Sequence, residues 1–479
     1  MIKLKVSFLN PPFKVFYNRV VRWQAVTNQG ALHPPIWLLY AATITKQSGH
    51  EVKFIDAIAD NLDFNSTLDK IGDSDVIIME TATSSFNNDV RFADFVKKNN
   101  PKIKIALMGP HVTALPKESI KDSIDAIIYG EADLTAKEYI DKIDKKNKSD
   151  ILGLVWRDDG KIIQNPPRPL IKDLDSIPFP DRSMLPLNKY KDSMFPSPFS
   201  FYYTMRGCAY RCIYCHWVYT IYEKTLRLRK PELAVKEILD DIDKFKLKCF
   251  YINDECFTTV KSHAMKVCEL MGDPGIRWGC YFRSDNIDEE LCKRLANSGC
   301  EILRTSPEVG SDEALKIINK GGKASIEQDR KAFKMLKDYG FEIYASFILG
   351  HPGETKESIK KTVEHAIELE PDTAQFAILQ PLPGTPFYDF LKKNGYLLTE
   401  NFDDYLDNYG STKPIFEYPW LSGQNLLDGW HYCWRRFYLR PKFILRTSWR
   451  LLKKPRFIPA TIRAYLNMRK ASLSKKVSW

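Results

Sequence analysis

Three cysteines stand within eight residues, in the run Arg206-Gly207-Cys208-Ala209-Tyr210-Arg211-Cys212-Ile213-Tyr214-Cys215. Thiolates on one tight loop, with three and then two residues between them, can hold three irons of a 4Fe-4S cluster. The fourth iron then has no protein ligand, and an open position is what catalytic metal sites keep and structural ones close. Gly207 lets the loop turn close to the cluster. The charges of Arg206 and Arg211 would favour thiolate over thiol. The competing readings are clustered core cysteines and a zinc site, for which His216 is the near fourth ligand.

Two predicted βα series position such a loop. The first has strands over 4–9, 52–55, 76–79, 103–108 and 126–129, alternating with amphipathic helices over 36–47, 65–71, 89–98, 117–121 and 134–145. This reads as a doubly wound parallel sheet whose ligand site lies in the loops 10–13, 56–61, 81–88 and 109–115, at the strands' carboxyl ends. A hairpin turning at Asp158-Asp159-Gly160 follows, then a stiff connector with eight prolines from Pro166 to Pro198. The second series has strands over 201–205, 249–253, 278–282, 301–305, 342–348 and 376–380, with helices between them. Six βα units make an open, partial barrel with its chemistry at the carboxyl-end loops. The fold class is α/β, with units over 1–150, 151–198 (hairpin and linker), 199–400 and 401–479 (a basic helical extension).

Cys-x3-Cys-x-aromatic-Cys after a barrel's first strand, with Tyr214 at the aromatic position, resembles the radical S-adenosylmethionine superfamily. The resemblance implies a 4Fe-4S cluster on Cys208, Cys212 and Cys215. The methionine part of S-adenosylmethionine chelates the open iron, and its reductive cleavage gives a 5′-deoxyadenosyl radical that abstracts hydrogen from substrate. Further segments are similar to that family's. Asn253-Asp254-Glu255-Cys256-Phe257-Thr258 resembles its acidic "D-D-x-F-T", implying methionine-amine contacts from Asp254 and Glu255. Arg283-Ser284-Asp285 resembles "R-x-D", suited to a carboxylate or ribose. Glu308, in Pro307-Glu308-Val309-Gly310-Ser311, resembles the ribose-binding "G-V-E-S-G-S". Phe347-Ile348-Leu349-Gly350-His351-Pro352-Gly353 resembles the turn beside adenine, whose edge the backbone from Ile348 to Gly350 would meet.

The first unit resembles the cobalamin-binding domain of one branch of the family, through Asn10-Pro11-Pro12, Gly49-His50-Glu51-Val52, Asp56-Ala57, Gly109-Pro110-His111-Val112-Thr113 and Tyr129-Gly130-Glu131. Cobalamin is implied, although the lower-ligand Asp-x-His-x-x-Gly motif is absent: Asp56 is followed by Ala57 and Ile58. The whole looks like the subgroup that includes anaerobic magnesium-protoporphyrin ester cyclase and radical enzymes of hopanoid and archaeal lipid synthesis. That implies a large apolar substrate (lipid, isoprenoid or tetrapyrrole), with ring closure, C–C bond formation or methylation as outcome. It also implies a reductant such as flavodoxin or ferredoxin.

Composition narrows the rest. The chain has 479 residues, 44% hydrophobic and 13% aromatic, with no apolar run of spanning length and no signal-peptide plan at its start. Ten cysteines in so long a chain argue for a reducing compartment rather than a disulfide framework. The expectation is a cytoplasmic protein. The net charge of +11 belongs to the tail, since His431 to Trp479 carries 14 Lys/Arg and no acid. Bases interleaved with Trp434, Phe437, Tyr438, Phe443, Trp449 and Phe457, broken by Pro441 and Pro455, suit the inner face of a cell membrane. Nucleic acid and plain docking on the barrel are the alternatives. Different classes of function also compete: an iron–sulfur sensor or electron carrier, which would need no S-adenosylmethionine pocket, and a nucleic-acid modifier.

Overall fold

The computed structural model describes residues 3–19, 30–192, 194–223, 225–407 and 413–453. The first unit runs β1 (Lys5–Asn10), α1 (Ile36–Gln47), β2 (Glu51–Asp56), α2 (Phe64–Ile71), β3 (Val76–Glu80), α3 (Phe86–Asn99), β4 (Lys104–Met108), α4 (Pro110–Ala114), β5 (Ala126–Ile128) and α5 (Ala132–Asp141). A hairpin, β6 (Leu154–Asp158) and β7 (Lys161–Gln164), closes it. Strand order is β2-β1-β3-β4-β5-β6-β7, with the first five parallel. Every residue of β3 is buried. Ile77 and Met79 enter one apolar core while Val76 and Ile78 enter the other, as a sheet covered on both faces requires. Order reverses between β1 and β3, which places the ligand crevice of such a sheet at Asn10 and Glu80.

Three sequence expectations change here. The hairpin assigned with the connector pairs Ile127 with Val155 and extends the first sheet. Residues 117–121 form turns, not a helix. The loop expected over 109–115 winds into α4, with Pro110 at its first position, where a missing N–H costs nothing.

The second unit runs β8 (Phe199–Tyr202), β9 (Met205–Gly207), α6 (His216–Thr220), β10 (Leu226–Leu228), α7 (Pro231–Phe245), β11 (Cys249–Ile252), α8 (Lys261–Met271), β12 (Arg277–Tyr281), α9 (Glu289–Asn297) and β13 (Cys300–Glu308). It continues with α10 (Asp312–Ile317), α11 (Ile326–Asp338), β14 (Glu342–Leu349), α12 (Lys356–Leu369), β15 (Thr373–Ile378) and α13 (Pro386–Lys393). Six parallel strands in the order β8-β11-β12-β13-β14-β15 form the open barrel, whose outer strands do not meet. The strand expected over 201–205 is two strands. The backbone N–H groups of Thr204 and Met205 donate to the Asp254 carboxylate, and the chain leaves the sheet there to pair β9 with β10.

The connector is pinned along its second half. Arg182 is buried and bonded to Glu237, Asp241, Ser200 and the Phe201 carbonyl, and Tyr190 donates to Asp56 across the units. Two helices end the described chain, α14 (Gly423–Tyr438) and α15 (Pro441–Lys453). The aromatics of α14 dock on the barrel: Trp430 donates to the Phe376 carbonyl, and Cys433 and Phe437 are fully buried. Pro441 opens α15, so the expected break is present, whereas Pro455 and Phe457 lie outside the described residues.

Candidate active site

β9 delivers Cys208 to the rim of the barrel, and a turn (Cys215 N–H to Cys212 carbonyl, 3.0 Å) brings the other two thiols round. These three are half-buried while the remaining seven cysteines are buried, so they alone open onto a rim. Burial raises the Cys208 thiol far above its usual range, and Cys215 and Cys212 add to the rise. Burial raises Cys212 as well, and neighbouring thiols of this kind fit iron, whose charge deprotonates them outright. Among the described residues no three His, Cys, Asp or Glu side chains converge on one ion. A cluster spreads its thiolates over separate irons and so does not require such convergence. His216 is buried and faces the Pro383 backbone, and burial holds its ring neutral, down to about 4.

One sequence expectation about this loop needs correction. Arg206 does not activate the thiols: its guanidinium is bidentate on Asp133 (2.9 and 3.0 Å) and reaches Glu131 at 3.3 Å. Gly207 is required by the neighbouring strand, because at φ +99° a Cβ there would overlap the Thr225 carbonyl.

Around the loop the rim residues are largely committed to one another. Asp254 takes Thr204 N–H (2.7 Å), Thr204 Oγ1 (2.6 Å) and Met205 N–H (3.2 Å), so both its oxygens brace the strand end. Burial pushes it up to about 7 against those bonds. Glu255 accepts from Gly207 N–H at 3.1 Å and so touches the cysteine loop itself. Arg283 is bidentate on Asp285, donates to the Lys320 and Gly321 carbonyls, and stacks 3.5 Å from the Tyr210 ring centre. Glu308 sits in the left-handed region at φ +75° and is 5% exposed; its carboxylate pairs with Lys320 Nζ at 2.7 Å and faces the Tyr214 hydroxyl. Such strain in a buried non-glycine residue concentrates at functional sites.

The turn expected beside adenine follows β14. Ile348 lies within the β14–β15 ladder. Gly350 N–H donates to Glu354 and its carbonyl accepts from Tyr418, while a Cβ at Gly350 would stand 2.7 Å from the Phe416 ring. The backbone edge at Gly350 is therefore occupied by the extension after the barrel.

Sequence reasoning missed Lys320 and Trp37. Lys320 stands in Asn319-Lys320-Gly321-Gly322, where three residues have positive φ, a turn signal that marks the loop but not its pairing with Glu308. Trp37 opens α1 and packs on Tyr203, Trp217 and Tyr222 of the barrel, with ring centres 4.9, 5.3 and 5.9 Å away, under the Arg206 guanidinium. Cys215 packs on the same aromatic cluster.

Trp37 and Glu80 both line two spaces at the carboxyl edge of the first sheet. Asn10, Tyr203 and Asn253 bound one; Gly109, Gly130, Asp133 and Trp217 bound the other. At Gly130 a Cβ would meet nothing within 4 Å, so the cradle is open there. His111 faces Thr83 (3.2 Å) and packs between Phe86 and Phe402, and burial lowers it to about 3. Its polar contact is within its own loops.

A thiol loop at the rim of an open βα barrel, closed over the crevice of a doubly wound sheet, defines an enzyme that pairs an iron–sulfur centre with a second cofactor. Residues 202–366 match the Radical SAM superfamily and residues 23–140 the B12 binding domain. An uncharacterized methyltransferase of Pyrococcus horikoshii is 30% identical over 92% of this chain and 94% of its own. The anaerobic magnesium-protoporphyrin IX monomethyl ester cyclase of Rubrivivax gelatinosus is 27% identical over 90% and 79%. In fold, the chain is similar to the radical S-adenosylmethionine methyltransferase TsrM of Kitasatospora setae, with a TM-score of 0.69 at 16% identity, covering 92% and 90% of the two chains. This chain belongs to the radical S-adenosylmethionine superfamily, in the branch with a B12 binding domain. Its cofactors are a 4Fe-4S cluster, S-adenosylmethionine and cobalamin, and its chemistry requires a reductant and a substrate.

Proposed function

We propose that the protein transfers a methyl group to a carbon of a large apolar molecule, a lipid, isoprenoid or tetrapyrrole, with Cys208, Cys212 and Cys215 holding the cluster. The observation that carries this is the packing of Cys215 on the aromatic cluster of Trp37, which also walls the crevice of the first sheet. When bound, the cluster supplies the electron that cleaves S-adenosylmethionine, and cobalamin supplies a carrier for the methyl group. The chain's own residues hold and enclose. Asp254 braces the strand end that carries the loop, Glu255 stands at its first turn, and Glu308 and Lys320 form the charged wall beside Tyr214. Aromatic walls from Tyr17, Phe201, Tyr203 and Trp217 exclude water from the space between the sheets. An apolar substrate agrees with α15, whose outward stripe and basic flank suit a peripheral contact with the inner face of an anionic membrane. No helix among the described residues is long and apolar enough to cross one.

The test is anaerobic turnover of the reconstituted protein with S-adenosylmethionine, hydroxocobalamin, a strong reductant and a lipid extract, followed by mass detection. Methyl transfer yields S-adenosylhomocysteine together with a product heavier by one methylene. 5′-Deoxyadenosine without S-adenosylhomocysteine would point instead to ring closure or coupling. The Cys208→Ala, Cys212→Ala, Cys215→Ala variant is expected to lose turnover by more than 100-fold, because it removes the cluster rather than tuning it.

A further inference from the structure

Among the described residues, the crevice of the first sheet holds one acid with a buried oxygen that the protein leaves without a partner. Glu80 ends β3 at the point where strand order reverses, is 1% exposed, and lines both spaces between the units. Its Oε1 has no hydrogen-bond partner, and Glu80 is the one acid in that position among the described residues. The acids near it are committed. Asp89 is bidentate on Arg19 and also accepts from Thr81 and Ser85; Asp56 accepts from Asn10, Tyr190 and the Ala59 N–H. Arg19 also donates from Nη1 to Asn10. An orphaned buried oxygen is costly, so a fold that keeps one at its ligand crevice keeps it for a partner that arrives with the ligand.

We propose that Glu80 is a direct contact of bound cobalamin, presenting its unpartnered carboxyl oxygen to the cofactor as a hydrogen-bonding group. This rests on the cobalamin assignment and adds to it a residue that the sequence motifs leave out. Cobalamin offers two partners of that chemistry, the primary carboxamides of its rim and an axial water on cobalt.

The protonation state fits either partner. Burial pushes Glu80 up to about 8; Arg19 opposes the rise, and Asp56 and Asp89 add to it. Also facing the crevice are the Leu38 N–H of α1, and Glu131 and Asp133 of α5, which are themselves held by Arg206 and Arg227 of the barrel. A neutral carboxyl has one O–H to donate and one oxygen to accept, the complement of a primary amide. Above pH 8 the donor is lost and a charge is left in the crevice.

The experiment titrates the full-length, cluster-reconstituted protein anaerobically with hydroxocobalamin, reading Kd by absorbance and, after one-electron reduction with a chemical reductant, the cobalt(II) state by electron paramagnetic resonance. Glu80→Gln keeps a donor and an acceptor and should bind within about threefold of wild type at pH 7, while Glu80→Leu should bind roughly 10- to 100-fold more weakly. Wild-type affinity should fall between pH 7 and 9, with Glu80→Gln flat over that range. A changed cobalt(II) spectrum in Glu80→Leu assigns the contact to the axial water, and an unchanged spectrum with weakened binding assigns it to a rim carboxamide. Equal affinity and spectrum for wild type and a folded Glu80→Leu would overturn the proposal. If Glu80→Leu does not fold, parallel pH profiles for wild type and Glu80→Gln do the same. Absence of binding by wild type itself would remove the cobalamin assignment, and the role of Glu80 with it.

Discussion

At the scale of single residues, the barrel rim is built from charges that satisfy one another before any ligand arrives. Lys320 and Glu308 show the consequence most clearly. Burial opposes the Lys320 charge, yet the Glu308 carboxylate holds its ammonium above the usual lysine range. Breaking a buried pair from one side leaves an uncompensated charge, at a cost of about 3–5 kcal/mol. Lys320→Met should therefore lower unfolding stability in urea by about that much, and adding Glu308→Gln should recover at least half of the loss. A double variant no more stable than the single one would mean that the pair is not coupled. The motif residues Cys208, Cys212 and Cys215 were legible because three thiols at fixed spacing are rare. Lys320 was not, because a lysine in a glycine turn usually points into solvent.

At the scale of elements, α15 is held by one face and presents the other. Phe443 packs on Phe437 and Tyr438, with ring centres 5.2 and 4.9 Å away, and Arg446 donates to the Glu370 and Pro371 carbonyls. Leu445, Trp449 and Leu452, spaced by four and three residues, are consequently turned outward at 71%, 61% and 76% exposure. If this stripe enters the interface of an anionic bilayer, each leucine contributes about 1.5–3 kcal/mol. A Leu445→Glu, Leu452→Glu variant is then expected to lose at least 100-fold in partitioning to vesicles rich in phosphatidylglycerol, measured by co-sedimentation. Wild-type partitioning should weaken with added salt as the basic flank is screened. Equal partitioning of both proteins would remove the membrane contact. The first half of the basic tail is a different matter: α14 spends its aromatics on the barrel, so the composition that suggested one membrane segment covers two helices with separate tasks.

At the scale of the whole molecule, the two sheets are joined through charges and rings rather than through the covalent connector alone. Arg206 follows the barrel's first strand, lies over the Trp37 and Tyr40 rings, and bonds Asp133 and Glu131 at the start of α5. One arginine thus links the strand that carries the cysteines to the edge that bounds the crevice. Arg206→Met should cost about 3–5 kcal/mol by stranding the buried Asp133 carboxylate, while Glu131 keeps Arg227. It should also weaken hydroxocobalamin binding while leaving the iron content of the reconstituted protein near the wild-type level. Loss of iron with unchanged cobalamin affinity would place Arg206 with the cluster instead.

The sequence by itself determined the two βα series, the order of their strands along the chain, the thiol loop and the segments that surround it, because periodicity and fixed spacing are local properties. The split of the first barrel strand, the hairpin's place in the first sheet, the occupied backbone edge at Gly350 and the partners of Arg206, Arg283 and Lys320 were decided by tertiary structure. Each of these depends on which groups meet across long stretches of chain. Thr204 leaves the sheet because Asp254, fifty residues on, takes its donors, and Gly350 is closed by Tyr418, which lies beyond the barrel. Glu80 is the sharpest case: as a letter it is an acid ending a strand, and only packing makes it a buried carboxyl with an oxygen facing the crevice.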